Sequence, residues 1–179
     1  MIFTETALQG VWIVDLQQIN DERGFFARSF CRDEFAARGL KTAVAQCNVS
    51  FNKVKGTLRG MHFQLPPKAE AKLVRCTRGA IYDVIIDLRP ESSTYCRWVA
   101  VELTGENRRA LYVPEGCAHG FQTLEDDSEV FYQMYEFFAP ESAAGVRWDD
   151  PMFRIDWPLK NPVVSAKDQS YPDFVRAVS

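Results

Sequence analysis

Short runs of apolar or alternating residues recur roughly every 8 to 12 positions from Val11 onward. Turn-forming residues separate these runs at residues 20–24, 78–79, 89–92, 104–107 and 125–127. Such a rhythm is typical of an all-β sandwich or barrel. One helix is predicted at residues 32–38, because acidic side chains begin it and a glycine follows it. The proline-rich tail, about residues 157–179, is expected to be irregular and to wrap the body without extending the sheet.

Alternation within the predicted strands indicates which side chains share a face. One face of residues 130–138 is more typical of a pocket wall than of a dry core, and it carries Val130, Tyr132, Met134, Glu136 and Phe138. An earlier strand has a polar face made by Gln46, Asn48 and Ser50. In residues 57–64, regular alternation places His62 and Arg59 on opposite faces. If both serve one site, the strand needs a bulge at Gly60.

Composition narrows the class of protein. A chain of 179 residues suits a single domain, residues 1–179, with a sizeable core. Its 21 Lys and Arg nearly balance its 24 Asp and Glu, which argues against a nucleic-acid surface but allows a local anion site. Neither a signal-peptide pattern nor a membrane-length apolar run is present, so we expect a soluble, cytoplasmic protein. The five cysteines are scattered, and we expect buried or inert thiols.

Histidine is scarce, since His62 and His119 are the only two in the chain. His119 ends a Pro-x-Gly-x-x-His spacing that matches the second motif of the cupins, and Gly60, His62, Glu70 and Gly79 form a degraded version of their first motif. A metal-binding cupin normally uses three histidines and a glutamate, which two histidines cannot supply. A metal-dependent cupin is therefore a disfavoured alternative, and no metal site is predicted.

Charged groups accompany His62 in the predicted strand order. Arg59 lies in the same strand, and Lys72 and Asp83 lie in the next ones, so a base, a cation and a carboxylate can converge there. The alternative is that Arg59 and Lys72 are solvated surface charges. Asp83 interrupts a strand that is apolar on both faces, where an unpaired carboxylate would be costly. We therefore expect Asp83 to have a partner.

Six segments, in this order, resemble the motif series of the dTDP-4-dehydrorhamnose 3,5-epimerases: residues 21–26 (DERGFF), 56–64 (GTLRGMHFQ), 71–74 (AKLV), 114–121 (PEGCAHGF), 145–151 (GVRWDDP) and 165–168 (SAKD). The pair Leu-Arg-Gly-x-His and Pro-x-Gly-x-Ala-His-Gly-Phe is strongly specific. The similarity extends from about Gly10 to Phe174. It implies a mostly β fold, a cupin-type jelly-roll barrel with a few short helices.

The resemblance also implies roles. His62 matches the general base, Asp168 the carboxylate that orients it, and Tyr132 the general acid on the other side of the sugar. Lys72 and His119 match residues that contact the sugar and its 4-keto oxygen. The implied contacts to the diphosphate, the nucleotide and the rest of the ligand are Arg23, Phe26, Gln46, Asn48, Arg59, Phe138 and Lys167. A homodimer with exchanged N-terminal strands is implied as well, so that Arg23 or Phe26 can serve the neighbour's site.

The implied reaction converts dTDP-4-dehydro-6-deoxy-D-glucose to dTDP-4-dehydro-L-rhamnose by inversion at C3 and C5, a step of deoxysugar biosynthesis. A ketone at C4 makes both protons abstractable, because the carbanion delocalises as an enolate. A histidine base, a cation at the enolate oxygen and an acid on the opposite face meet the needs of this cycle. Since nothing is oxidised, no cofactor is expected, and the chain has neither a Gly-x-Gly-x-x-Gly nor a Walker motif.

Three positions depart from the family pattern. Arg28 and Ala143 stand where many members carry Glu, and Phe138 stands where a Tyr often lies near the nucleotide. All three fall on the implied ligand-binding rim, so the sugar, the nucleotide and the number of inverted carbons stay open. The alternatives are a single-carbon epimerase, an epimerase of another NDP-4-keto sugar, and a non-catalytic cupin that binds a sugar or organic anion.

Overall fold

Alternating apolar residues build two antiparallel sheets whose inner faces pack together, as seen in a computed structural model that describes residues 1–176. The first sheet has the order β1 (Ile2–Glu5), β2 (Trp12–Asp15), β10 (Ala110–Val113), β7 (Lys72–Arg78), β12 (Ser128–Met134) and β5 (Gln46–Asn52). The second has the order β13 (Ala143–Gly145), β6 (Thr57–Gln64), β11 (Cys117–Thr123), β8 (Ala80–Asp87) and β9 (Trp98–Thr104). The prediction of a mostly β, cupin-type barrel is confirmed.

The remaining elements are short. Strands β3 (Ile19–Asp21) and β4 (Gly24–Phe26) form a separate two-stranded hairpin. Helix α1 covers Arg32–Ala36, and a 3-10 turn covers Pro140–Ser142. The helix predicted at residues 32–38 is therefore confirmed, with its last turn ending two residues earlier. No helix within residues 1–176 is long and apolar enough to cross a membrane.

The core between the two sheets is fully apolar along most of its length. Val74 and Leu111 of the first sheet and Ile81, Ile85 and Phe121 of the second are each at most 1% exposed. Burial of side chains of this size stabilises the fold by about 1.5–3 kcal/mol each. The dry core therefore holds the two sheets together.

The outer faces of both sheets are also covered. Phe35 of α1 is fully buried and packs on Tyr112 of the first sheet, with ring centroids 6.1 Å apart. Phe153 joins Val84 and Ile86 in a cluster on the outer face of the second sheet. Strand β8 is therefore buried on both faces, which explains why its sequence is apolar on both faces apart from Asp83 and Asp87.

The C-terminal segment is more regular than predicted. Strand β14 (Val163–Val164) pairs in parallel with the start of β6, and helix α2 covers Ala166–Gln169. The expectation that the tail does not extend the sheet is therefore wrong at these two residues. Pro158 and Pro162 lack the backbone N–H that a ladder requires, which limits the pairing to this short stretch.

The cysteines are all free thiols, and they differ in environment. Burial raises the pKa of Cys76 to about 11 and that of Cys117 to about 12, so both are protonated and inert at neutral pH. Cys47 is exposed on β5, so it is not one of the buried thiols. The strand is at the edge of its sheet, and Cys47 lies on the face turned away from the polar side chains of Gln46 and Asn48.

Candidate active site

A cavity of about 520 Å³ opens between the two sheets and adjoins the dry core, since Phe121 belongs to both. Both sheets contribute to its walls, together with the C-terminal segment. Its polar and charged lining residues are Gln46, Asn48, Ser50, Arg59, His62, Gln64, Glu70, Lys72, His119, Tyr132, Lys167 and Tyr171. The apolar remainder includes Val49, Phe63, Phe121, Met134, Phe138, Ala143 and Ala144. This mixture is typical of a small-molecule site.

His62 and Asp168 form a hydrogen-bonded pair on one wall. His62 Nε2 lies 2.7 Å from Asp168 Oδ1, while Asp168 Oδ2 accepts a bond from the Gly60 amide at 3.3 Å. A carboxylate at Nε2 favours the tautomer with its proton there, which leaves Nδ1 as the nitrogen that can accept a proton. Burial raises the pKa of Asp168, but bonds from His62, Gly60 and Ser165 outweigh this and hold it below its usual range.

Helix α2 places Asp168 beside His62. The Ser165 hydroxyl caps the helix by accepting a hydrogen bond from the Asp168 amide at 3.1 Å. This cap fixes the first turn, so the Asp168 side chain is directed towards β6 and is only 4% exposed. In the sequence Ser-x-x-Asp, the serine therefore caps the helix and the helix places the aspartate. This local structural role is separate from the match to the family motif.

A bulge in β6 brings Arg59 and His62 to the same cavity. On β11, His119 pairs with His62 and Phe121 pairs with Arg59, so three steps along β6 correspond to two along β11. Gly60 lies inside this irregularity at φ +134°, where a Cβ would be 2.6 Å from the Cα of Gly120. Only glycine fits such a position. The predicted bulge at Gly60 is therefore confirmed.

A second histidine–carboxylate pair forms the floor of the cavity. His119 Nε2 lies 2.7 Å from Asp83 Oδ1, and the Asp83 side chain is fully buried. Asp83 occupies the inner face of β8 between Ile81 and Ile85. The expectation that this buried carboxylate has a partner is confirmed, although its second oxygen makes no hydrogen bond. His119 is thereby held in one orientation beneath the cavity.

Lys72 enters the cavity as a buried cation. Its Nζ donates to Glu70 Oε1 at 2.8 Å, and the two side chains are 5% and 8% exposed. A lone ammonium at this depth would be strongly disfavoured, so Glu70 supplies the charge that retains it. Lys72 is therefore a fixed cation rather than the solvated surface charge of the alternative interpretation.

Tyr132 stands on the first sheet, so it reaches the cavity from the wall opposite His62. Its ring packs edge-on against His119, with centroids 6.0 Å apart. Burial raises the pKa of the Tyr132 hydroxyl, and the charge of Asp83 raises it further, while Arg59 and Ser50 act in the opposite direction. The hydroxyl is accordingly protonated at neutral pH.

Five of the seven predicted contacts to the diphosphate, the nucleotide and the rest of the ligand lie in the cavity of a single chain. Arg59, Gln46, Asn48, Phe138 and Lys167 all line the cavity beside the residues above. The Arg59 Nε donates to Asn52 Oδ1 at 2.7 Å, which orients the guanidinium at the rim. Asn52 is buried and is a supporting residue that the sequence did not point out.

Arg23 and Phe26 do not line this cavity. Both lie in the β3–β4 hairpin, where the Arg23 side chain is 85% exposed and Phe26 is 74% exposed. Arg23 is bonded only to Asp21, at 2.6 Å, within residues 1–176. One chain alone therefore leaves these two predicted ligand contacts away from the site.

The three departures from the family pattern fall in different places. Ala143 and Phe138 line the cavity, so they can affect which ligand fits. Arg28 instead pairs with Glu34 at 3.0 Å, and the same carboxylate holds the amino group of Met1. Arg28 thus belongs to an ion-pair network around α1 rather than to the cavity.

Tyr171 is a cavity residue that the sequence did not reveal. It follows Asp168 by three residues, and its ring stands beside His62. The one feature of the sequence that could have indicated Tyr171 as a cavity residue is its position next to the Ser-Ala-Lys-Asp motif. Within residues 1–176, no group of three or more His, Cys, Asp or Glu side chains has the arrangement of a metal site.

Similarity to known proteins extends over nearly the whole described chain. The family model described as dTDP-4-dehydrorhamnose 3,5-epimerase matches residues 5–176. The protein of that name from Shigella flexneri is 42% identical over 174 residues, which is 97% of this chain and 96% of its own. The dTDP-4-dehydrorhamnose 3-epimerase of Streptomyces niveus is 40% identical and aligns over 90% of this chain and 78% of its own.

A solved structure has the same fold. The dTDP-4-dehydrorhamnose 3,5-epimerase of Bacillus anthracis, determined with TDP and PPi bound, gives a TM-score of 0.93 at 38% identity. The match covers 97% of this chain and 99% of that one. Together, the motif series, the cavity with its two histidine–carboxylate pairs and these similarities lead to one conclusion. The chain belongs to the dTDP-4-dehydrorhamnose 3,5-epimerase family.

Proposed function

We propose that this protein inverts C3 and C5 of dTDP-4-dehydro-6-deoxy-D-glucose to give dTDP-4-dehydro-L-rhamnose, in nucleotide-sugar biosynthesis. The observation that carries the proposal is the placement of His62 and Tyr132 on opposite sheets of one cavity. Inversion requires removal of a proton from one face of a carbon and delivery to the other face. Two groups on facing walls can do this without turning the sugar.

His62 acts as the base in this proposal. Its Nδ1 takes the proton from the carbon next to the C4 ketone, and the electron pair moves into the enolate. Asp168, bonded to Nε2, stabilises the imidazolium that forms and holds the ring in place. The carboxylate stays ionised through this step, because its pKa lies below the usual range.

Lys72 and His119 stabilise the enolate oxygen. The carbon acid is far weaker than an imidazolium, so a fixed donor at the oxygen is needed to make proton removal accessible. Lys72 is held by Glu70 and His119 by Asp83, so neither side chain has to reorganise when the charge develops. Tyr132 then donates its proton to the opposite face of the carbon, after which solvent returns a proton to Tyr132 and accepts the one held by His62.

The nucleotide end of the substrate binds at the rim of the cavity. Arg59 and Lys167 supply cationic groups for the diphosphate, and Phe138 supplies an exposed ring for the thymine. The Bacillus anthracis relative, which was solved with TDP and PPi, supports a nucleotide ligand here. None of these steps oxidises the substrate, so the chemistry calls for no redox cofactor.

The functional unit in this proposal is a homodimer. The β3–β4 hairpin exposes Ile19 and Phe26 at 68% and 74%, and Arg23 has no partner beyond its own hairpin in the described chain. Contiguous exposed apolar side chains of this size mark interaction surfaces. We place the hairpin against a second copy, where Arg23 and Phe26 complete the nucleotide subsite.

A second candidate is inversion at a single carbon. It is favoured by the 40% identity to a 3-epimerase and by Ala143 and Phe138 in the cavity wall. Both candidates use the same base and enolate, so they differ only in how many carbons reach His62.

The deciding experiment incubates the protein with dTDP-4-dehydro-6-deoxy-D-glucose in deuterated water and follows the sugar by NMR. Double inversion predicts deuterium at both C3 and C5 in the product. Label at one carbon alone would establish the single-carbon reaction. The His62→Asn and Tyr132→Phe variants serve as controls, and ligand binding without any exchange in the wild-type protein would instead indicate a sugar-binding cupin.

A further inference from the structure

The ring of Tyr171 lies directly against the proposed base. Its centroid is 6.2 Å from that of His62, and the planes meet at 64°, an edge-to-face arrangement. Such pairs contribute orientation as well as buried area. Tyr171 belongs to the C-terminal segment, three residues beyond Asp168, so the same segment contacts His62 twice: by a hydrogen bond and by a ring.

The neighbouring strand is shaped to admit this ring. Gly145 of β13 is the direct antiparallel partner of His62. A Cβ at Gly145 would overlap Cζ of Tyr171 and would lie 2.8 Å from the Met61 carbonyl oxygen. The absence of a side chain at Gly145 therefore leaves the space beside His62 that the Tyr171 ring fills.

His62 needs such a support. Its side chain is 41% exposed, and within residues 1–176 its ring makes a single hydrogen bond, the one to Asp168. One hydrogen bond leaves an imidazole free to tilt about that bond, because its χ2 torsion has only a broad preference. A second contact on another side of the ring removes this freedom, as supporting groups do in other functional sites.

We propose that Tyr171 is a positioning residue whose ring holds the His62 imidazole in the orientation that proton abstraction requires. The inference rests on the proposed function for its effect on turnover, but its effect on the His62 ring is independent of any activity. The ring, not the hydroxyl, carries the role. Burial and the nearby Asp168 charge both raise the pKa of Tyr171, which keeps the hydroxyl protonated and unsuited to act as a base.

The direct test is NMR of the protein with isotope-labelled histidine. Since the chain has only two histidines, the His62 signals are readily assigned and His119 is an internal reference. In the wild-type protein we expect cross-relaxation between the Tyr171 and His62 ring protons. In Tyr171→Ala, the His62 ring signals should move while those of His119 stay in place, and Tyr171→Phe should match the wild type.

Turnover provides the second readout. We expect Tyr171→Ala to lower kcat by about 10-fold, a barrier change of roughly 1.4 kcal/mol, with the Kd for dTDP within about 2-fold. Tyr171→Phe should retain kcat within about 2-fold, because the ring is kept. Tyr95→Ala removes a tyrosine that does not line the cavity and is the matched control, with no expected effect on either readout.

The outcomes separate this inference from the proposed function. Unmoved His62 signals in Tyr171→Ala, or equal losses in the Ala and Phe variants, would overturn the positioning role. A wild-type protein without epimerase activity would overturn the proposed function. The His62 ring signals would still show whether Tyr171 positions the imidazole. If Tyr171→Ala does not fold, Tyr171→Leu and the cross-relaxation in the wild-type protein test the positioning role in its place. Gly145 is a poorer test position, because a substitution there also meets the Met61 carbonyl.

Discussion

Asp168 Oδ1 lies 2.7 Å from His62 Nε2, although 106 residues separate the two along the chain. Helix α2 provides the carboxylate and β6 the imidazole, and the pair forms because β14 anchors the C-terminal segment to the start of β6. The proposed base therefore depends on a segment that follows the last long strand of the barrel. This dependence leads to the first prediction.

Asp168→Asn should lower kcat by about 100-fold or more, within the range that general-base catalysis contributes. The amide cannot stabilise the imidazolium, although it fills nearly the same space as the carboxylate. We expect the Kd for dTDP to stay within about 2-fold, because Asp168 bonds to His62 and to the backbone rather than to the ligand rim. Steady-state kinetics with dTDP titration calorimetry checks both values. A loss of dTDP affinity equal to the loss of kcat would contradict this role.

Tyr132→Phe should uncouple proton exchange from inversion. With the acid removed, His62 can still abstract the proton and return one from solvent to the same face. We expect product formation to fall by about 100-fold or more, while deuterium still enters the unconverted substrate. NMR in deuterated water measures both at once. Exchange and inversion that fall together would show that Tyr132 is needed to form the enolate rather than to quench it.

The dimer proposal predicts complementation between two variants that are each inactive at low substrate concentration. Arg23→Ala should weaken substrate binding, and His62→Asn should remove the base. If Arg23 serves the neighbouring site, a mixed dimer contains one site with both groups intact, so remixing should recover about one quarter of wild-type activity by random pairing. No recovery would mean that Arg23 serves its own chain. Light scattering of the wild-type protein that shows only a monomer would refute the dimer itself.

Asp87 should make the fold sensitive to acid. This fully buried carboxylate accepts hydrogen bonds from Arg89, Ser92 and Thr94. Burial raises its pKa, but these bonds outweigh burial and lower it. Because the folded pKa lies below the unfolded value of about 3.9, the stabilisation is complete above that pH and is lost as pH falls through the folded pKa.

Asp87→Asn should therefore lower the free energy of unfolding at pH 7 by roughly 3–5 kcal/mol, because Arg89 loses its partner in a buried network. The loss of stability below about pH 4 should be shallower than in the wild type. Urea unfolding at pH 7 and at several acidic values measures both effects. Asp149→Asn changes a half-exposed carboxylate and is the control, with an expected change of about 0.5 kcal/mol or less.

Much of the architecture could be predicted from the sequence because its causes are local. Turn residues at regular intervals indicated the strands, and acidic residues before Gly39 indicated α1. The alternation in residues 57–64 also pointed to the bulge at Gly60. A regular strand places Arg59 and His62 on opposite faces, so they can share a site only if the strand is bulged between them. The apolar run around Asp83 required a partner for its carboxylate, and His119 is that partner.

Other features had no local cause. The irregular tail was predicted from its prolines, yet Val163 and Val164 pair with β6, because an edge position for them exists only once β6 is placed in the sheet. Tyr171 resembles any other tail residue until Gly145 provides a space for its ring beside His62. The exposure of Arg23 and Phe26 likewise depends on where their hairpin lies relative to the barrel.

The sequence by itself determined which chemical groups this protein has: two histidines, candidate carboxylates to pair with them, a cation and a tyrosine. It also indicated that most of these groups lie in strands, because the alternation of side chains is visible in the sequence. The spacing of side chains in strands and helices follows from the backbone geometry of neighbouring residues, so the sequence alone is enough to recognise it. Only the tertiary structure decided which groups meet, because pairing between distant strands depends on the packing of the whole core. His62 meets Asp168 and Tyr171, Asp83 meets His119, and Tyr132 faces them from the other sheet.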